Sequence, residues 1–175
     1  MRLSFKITDA MLERCRTDLH RPHEFAFERV AFLITKTAWS DSRVVVLAYD
    51  YVAIPDEQYV YDPSVGARIS QESVRNALNH ALLRKCGVFH VHSHHFGRML
   101  WFSETDLVDQ DQMIPDFFSV SPNQVHGSLL IGGSTLTGRP WLKRNTPAHF
   151  ADLQVIGQRM RSIWPRSNGQ TEFLL

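Results

Sequence analysis

Cysteine is scarce: Cys15 and Cys86 are the only two in 175 residues, far apart and in unrelated contexts. They offer no disulfide framework and read as two free thiols in a reducing cytosol. Neither sign of charge dominates. Lys and Arg number 19 against 18 Asp and Glu, a net charge of +1, which removes the electrostatic case for nucleic acid or a membrane surface. No apolar run approaches a membrane span, and the first residues lack a signal-peptide pattern, so the expected location is cytoplasmic. Internal repeats, low-complexity tracts and linkers are also missing. What remains is an ordinary soluble composition, 43% hydrophobic and 21% charged, at a length suited to one domain with a sizeable core. The one excess is histidine: nine in all, four of them between positions 90 and 95.

Local patterns predict alternating helices and strands. Residues 8–19 read as a helix capped by Thr8, with Asp9 in its first turn and Met11, Leu12, Cys15 and Leu19 on one face. Residues 28–36 and 43–49 are β-branched and aromatic runs separated by Ser40, Asp41 and Ser42, which reads as two adjacent antiparallel strands. The second strand continues through 51–54 to Pro55, and 59–61 reads as a short edge strand. Residues 70–86 form the clearest helix. Ser70 is its N-cap, Val74, Ala77, Leu78, Ala81 and Leu82 follow helical spacing, and Gly87 closes it. A strand over 88–93 comes next, then a helix from Ser103 to about Met113, before Pro115. Strands follow at 124–131 and 139–143. A last helix is expected to start at Thr146-Pro147 and to bury Phe150, Leu153, Ile156, Met160 and Ile163. The tail after Pro165 reads as loose. The order α-β-β-(β)-α-β-α-β-β-α is most simply a mixed sheet with helices packed on it.

The chemistry lies between Gly87 and Asp106. An apolar strand climbs into His90, His92, His94 and His95; a short loop follows, then Ser103 and Asp106, three apart. On a strand, residues i and i+2 share a face about 6.5–7 Å apart, so His92 and His94 converge on one point. Two imidazoles and a carboxylate make an open catalytic zinc site, with water in the fourth position. Asp106 can supply that carboxylate from the first turn of a helix capped by Ser103. Ser-x-x-acidic is equally a common capping box with no chemistry of its own. His90 and His92 form an alternative ligand pair. In the preferred register, His92 with His94, His90 sits deeper on the same strand face and His95 faces away.

His-x-His, a loop and Ser-x-x-Asp resemble the signature of the JAMM (MPN-plus) zinc metalloproteases, isopeptidases that remove ubiquitin or ubiquitin-like proteins. That family has a glutamate just ahead of an upstream apolar strand, and Glu28, preceding Arg29-Val30-Ala31-Phe32-Leu33-Ile34, fills the place. The resemblance covers about residues 5–145. It departs from the family pattern at three points. His95 stands where a proline usually follows the second histidine, eight residues separate His94 from Ser103 (one more than usual), and Ala31 replaces a conventional glycine.

The resemblance implies a single-domain α/β fold over residues 1–165: a mixed curved β-sheet flanked by helices, in a JAMM/cytidine-deaminase-like α/β/α sandwich. It implies zinc held by His92, His94 and Asp106, Glu28 as general base, and Ser103 as hydrogen-bond donor to the oxyanion. The implied substrate is a ubiquitin-like protein, cleaved after its C-terminus from a conjugate or a precursor. Short bacterial-type members are encoded beside E1-like and E2-like enzymes in antiphage conjugation systems, which makes such enzymes the expected partners. Phe96, Met99, Leu100, Trp101 and Phe102 crowd the loop between the ligands: either most of them pack onto the neighbouring sheet, or part of the loop walls an extended substrate tail, with Tyr59 and Tyr61 as exposed contacts. The tail could also add as a strand to the sheet edge near the site.

Three rival readings deserve comparison. A zinc nucleobase deaminase needs His-x-Glu and Cys-x-x-Cys, which two isolated cysteines do not supply. A non-catalytic MPN-type scaffold would bind no zinc. A histidine-based metal store or sensor would bind it without chelator-sensitive cleavage.

Overall fold

A strand comes first, ahead of the expected first helix. In β1 (Arg2–Thr8), Leu3, Phe5 and Ile7 alternate and are all buried, the period of two that packs one strand face on a core. Thr8 then caps α1 (Asp9–Leu19), its hydroxyl accepting the Met11 N–H at 3.2 Å. The computed structural model describes residues 1–94, 101–132, 135–157, 160–163 and 172–174, with backbone only for 161–163 and 172–174. β2 (Val30–Trp39) and β3 (Arg43–Ala53) pair antiparallel, as expected. Residues 59–61 form no strand. Tyr59 makes a single bridge to Ile69 and is buried, its hydroxyl bonding both the N–H and the C=O of Val30. A side chain thus stands in for a neighbouring strand beside the start of β2.

In α2 (Gln71–Arg84), Ser70 caps the N-terminus through the Ser73 N–H. The helix closes on Lys85 rather than Gly87. Lys85 adopts a left-handed backbone (φ 49°) and its N–H bonds the Ala81 carbonyl. The Lys36 ammonium covers the carbonyls of Arg84 and Lys85 at 2.8 and 2.6 Å, a cation where the helix dipole favours one. Gly87 begins β4 (Gly87–Ser93) instead. There a Cβ would lie 2.3 Å from the Val125 carbonyl oxygen and 2.4 Å from Thr35 Oγ1, so the glycine answers to packing. α3 (Glu104–Val120) runs on through Pro115. A proline inside a helix costs about 3 kcal/mol. Burial of Ile114, Phe117 and Phe118 around it, each worth roughly 1.5–3 kcal/mol, offsets that cost.

The largest correction concerns the last third. β5 (His126–Ile131) and β6 (Thr135–Lys143) are the expected strands, and β7 (Thr146–Pro147) adds two residues beside β6. Among the described residues the expected final helix is absent. Its segment forms β8 (Asp152–Ile156), parallel to β1, and β9 (Arg161–Ile163), antiparallel to β8. Leu153 and Val155 are buried while Met160 is exposed, so the apolar pattern follows the strand. Asp152 anchors the pairing: fully buried, its Oδ2 accepts from Arg2 Nε at 2.7 Å and from Ser4 Oγ at 3.1 Å. β10 (Glu172–Leu174) pairs antiparallel with β6, so this part of the segment after Pro165 belongs to the sheet.

The strands form one mixed sheet in the order β10-β6-β5-β4-β2-β3-β1-β8-β9. Two cores lie on its two faces. α1 packs Leu12, Cys15 and Leu19 against Phe5, Leu33 and Val46. On the other face, α2 and α3 pack Ala77, Ala81, Ile114 and Phe117 against Phe32 and Val88. Among the described residues the result is a curled mixed α/β sheet with three α-helices. Among the described residues no helix is long and apolar enough to cross a membrane, and both cysteines are buried and unpaired.

Candidate metal centre

β4 is central, with β2 antiparallel on one side and β5 parallel on the other. Its alternation sends Phe89 and Val91 into the core under α1, and Val88 into the core under α2 and α3. His90 and His92 share the parity of Val88. Ser93 faces the opposite way, its hydroxyl donating to the Leu19 carbonyl at the end of α1. In the β2–β4 ladder Val30 pairs with His92. Two residues beyond that pair, just outside both strands, the same antiparallel direction brings Glu28 beside His94, with Oε1 3.6 Å from Nε2.

The N-terminus of α3 delivers the second carboxylate. Ser103 is the N-cap and Asp106 the third helical residue of a reciprocal capping box. The Asp106 N–H donates to Ser103 Oγ at 3.1 Å, while Asp106 Oδ2 accepts from the Ser103 N–H and hydroxyl, both at 2.7 Å. This fixes the Asp106 rotamer. Its Oδ1 then lies 3.2 Å from His92 Nε2 and its Oδ2 3.5 Å from His94 Nε2. Separately, one ligand atom each from Glu28, His92 and His94 fall within 4.8 Å of one another. The five residues singled out in the sequence are therefore brought to one place. Asp106 touches both imidazoles, Glu28 touches one, and Ser103 reaches them through Asp106.

The electrostatics suit a cation. Burial opposes ionisation of Asp106, but the adjacent His92 and His94 imidazoles and the Ser103 hydroxyl outweigh it and hold the carboxyl well below its usual range. The Asp106 carboxylate also raises the His94 pKa against its partial burial, helped by Glu28. His92 is 2% exposed, and neither ring nitrogen has a hydrogen-bond partner among the described residues. Its 3.2 Å approach to Asp106 is thus a close contact without hydrogen-bond alignment. A buried imidazole without partners beside an ionised carboxylate fits a metal-ligand role. His90 lies one step deeper, its ring 5.4 Å from that of His92. Desolvation, then His92, pushes its pKa down to about 3, so it is a neutral group behind the site. The site lies in a cleft of about 830 Å³, whose walls include Gly66, Arg68, Asp109, Gln110 and Met113.

No family model matches the chain, and no curated protein does either. Among solved structures, the STIL N-terminal domain of Trichoplax adhaerens is similar at 14% identity and a TM-score of 0.38. The match covers 79% of this chain and 40% of that one, and at that score it carries no argument.

Two expected substrate contacts change. Tyr59 is buried in its bonds to Val30, leaving Tyr61 exposed. The strand carrying the histidines is flanked on both sides, and the sheet ends at β9 and β10, so β4 offers no free edge to an added strand. His95, Phe96, Met99 and Leu100 lie outside the described residues. Trp101 is exposed, and the Phe102 ring lies 6.0 Å from that of His92. Sequence reasoning passed over Gly66 and Gln110. Gln110 sits one turn beyond Asp106, a signal available from helix periodicity; Gly66 is a lone glycine in a polar loop, and nothing local marks it.

Proposed function

We propose that this chain is a cytoplasmic, zinc-dependent isopeptidase or peptidase of the JAMM type, cutting after the C-terminus of a ubiquitin-like protein. The observation that carries the reading is the meeting of two imidazoles with two carboxylates in one cleft. His92, His94 and Asp106 would hold the zinc, since Asp106 meets both imidazoles and Glu28 only one. Bound there, zinc supplies a Lewis acid for the scissile carbonyl and lowers the pKa of water towards neutrality. Glu28 is left to move protons. Its carboxylate takes one from the attacking water and delivers it to the departing amine nitrogen. The Ser103 hydroxyl turns from Asp106 Oδ2 to donate to the carbonyl oxygen as negative charge develops there. Losing one such donor elsewhere costs about 3–4 kcal/mol. The JAMM-type α/β/α sandwich is part of the same proposal. It is supported by α1 on one sheet face, α2 and α3 on the other, and histidines at the end of a central strand. E1-like and E2-like enzymes of an antiphage conjugation system are the proposed partners.

Cleavage of a ubiquitin-like fusion by the purified chain tests the proposal. Zinc-dependent cleavage, stopped by a chelator and restored by zinc, is expected. Glu28→Ala keeps about one zinc per chain and loses activity between a hundredfold and ten-thousandfold. Asp106→Ala loses both zinc and cleavage while staying folded. Full activity in either variant overturns the residue roles, and a wild-type chain that takes up no zinc points to the non-catalytic scaffold.

A further inference from the structure

We propose that Gly66 is a positioning residue that sets where the Glu28 carboxylate sits. Its link to catalysis rests on the function proposed above; its structural half does not. The Gly66 carbonyl accepts the N–H groups of both Phe27 and Glu28, at 2.9 and 3.1 Å. The same residue faces the Glu28 side chain. A Cβ on residue 66 would lie 2.7 Å from both Glu28 Cδ and Oε2, closer than real Cβ contacts come, and 3.1 Å from Cγ, which is tight. One glycine therefore fixes the backbone of residue 28 and also bounds the space its carboxylate can use.

The loop carrying Gly66 is anchored independently of the site. Asp62 accepts from the Ser64 N–H at 3.0 Å, from the Ser64 hydroxyl at 2.6 Å and from Arg68 Nη1 at 2.7 Å. The Val60 N–H bonds the Arg68 carbonyl at 2.8 Å, closing the loop at its base. A methyl at 66 thus presses an anchored loop against the far end of a flexible side chain, and the side chain is the part that gives way. The φ of Gly66 lies outside the left-handed range, so alanine there brings no backbone strain. The substitution leaves the fold alone and displaces the carboxylate that lies 3.6 Å from His94 Nε2.

Two measurements test this, one of them independent of activity. In the metal-free protein, ring ¹⁵N and ¹H signals of His94 report the nearby carboxylate. Gly66→Ala is expected to shift them in the direction that Glu28→Ala does, with the His126 ring unmoved as an internal control. In a Glu28→Ala background, Gly66→Ala moves them no further. In turnover, Gly66→Ala lowers kcat roughly tenfold to a hundredfold, the scale of a misplaced reacting group. KM changes less than about twofold and zinc content is unchanged. With Glu28→Asp, whose carboxylate is drawn back, the kcat loss from Gly66→Ala shrinks. Unchanged His94 signals, or an equal shift when Glu28 is absent, overturn the proposal, as does an equal kcat loss in the Glu28→Asp background. If Gly66→Ala unfolds while the Glu28→Ala/Gly66→Ala pair folds, the clash is with Glu28, as proposed; if both unfold, the proposal fails. A wild-type chain that cleaves nothing removes the proposed function and leaves the His94 measurement to decide the role of Gly66.

Discussion

His126 shows how a buried histidine can serve structure alone. Its Nδ1 accepts the Val88 N–H at 3.1 Å, so Nε2 carries the proton and donates to the Ser121 carbonyl at 2.9 Å. Phe117 stacks on its ring. Burial lowers its pKa to about 4, against the hydrogen bond to Ser121. The neutral form is the folded form, and protonation removes the acceptor that holds Val88. Its stabilisation is therefore complete above the unfolded value of about 6.5 and is lost as pH falls towards 4. Between pH 7 and pH 5 its share falls by about 2 kcal/mol. Urea unfolding of wild type and His126→Gln at both pH values checks this: the gap between them narrows at pH 5. A gap independent of pH contradicts it. At this scale the residues that meet in the cleft were legible, because residue types and spacings are local properties. Tyr59 was not. Its burial follows from the hydroxyl meeting Val30, 29 positions away, and no local pattern encodes that.

Elements were legible where their partners are near in sequence. α1 and α2 start where Thr8 and Ser70 say they should. The hairpin of β2 and β3 follows from two apolar runs and a polar turn. The failures share one cause. Phe150, Leu153 and Ile156 fit a helical period, but Leu153 and Val155 fit a strand as well. The choice between them is made by β1, about 150 residues away. Pro115 misled for a similar reason, since the burial that carries α3 past it comes from the sheet. Gly87 looked like a helix stop and is a close-packing residue. Gly87→Ala is expected to destabilise the protein by about 3 kcal/mol, because the atoms in the way include the Val125 backbone and cannot swing aside. Thermal or denaturant unfolding measures it; a loss below about 1 kcal/mol would show that β4 can separate from its neighbours. Glu28 and His94 belong to this scale too. Both residues are legible, but the register that sets them side by side is a property of the finished ladder.

For the whole molecule, the site and the fold are one thermodynamic object. The proposed ligands come from β4, the residue just past it and α3, with Glu28 arriving ahead of β2, and the unfolded chain has no reason to gather them. Zinc at about a hundred times its Kd is therefore expected to add about 2.7 kcal/mol to stability, seen as a rise in Tm that His92→Ala or His94→Ala abolishes. A Tm indifferent to zinc would mean that the cleft holds no metal in the folded state. The order of synthesis gives the central position of β4 a further consequence. Every proposed site residue has emerged once Asp106 leaves the ribosome. The parallel neighbour of β4, residues 126–131, has not, and β8, which completes the far side of the sheet against β1, comes later still. A nascent chain thus carries the whole donor set before it has the scaffold that aligns it. Free chains truncated near residue 120 should hold zinc weakly or not at all, and on the ribosome tight uptake should begin only after the β8 segment has emerged, so that the finished sheet, rather than the presence of its ligands, switches the centre on.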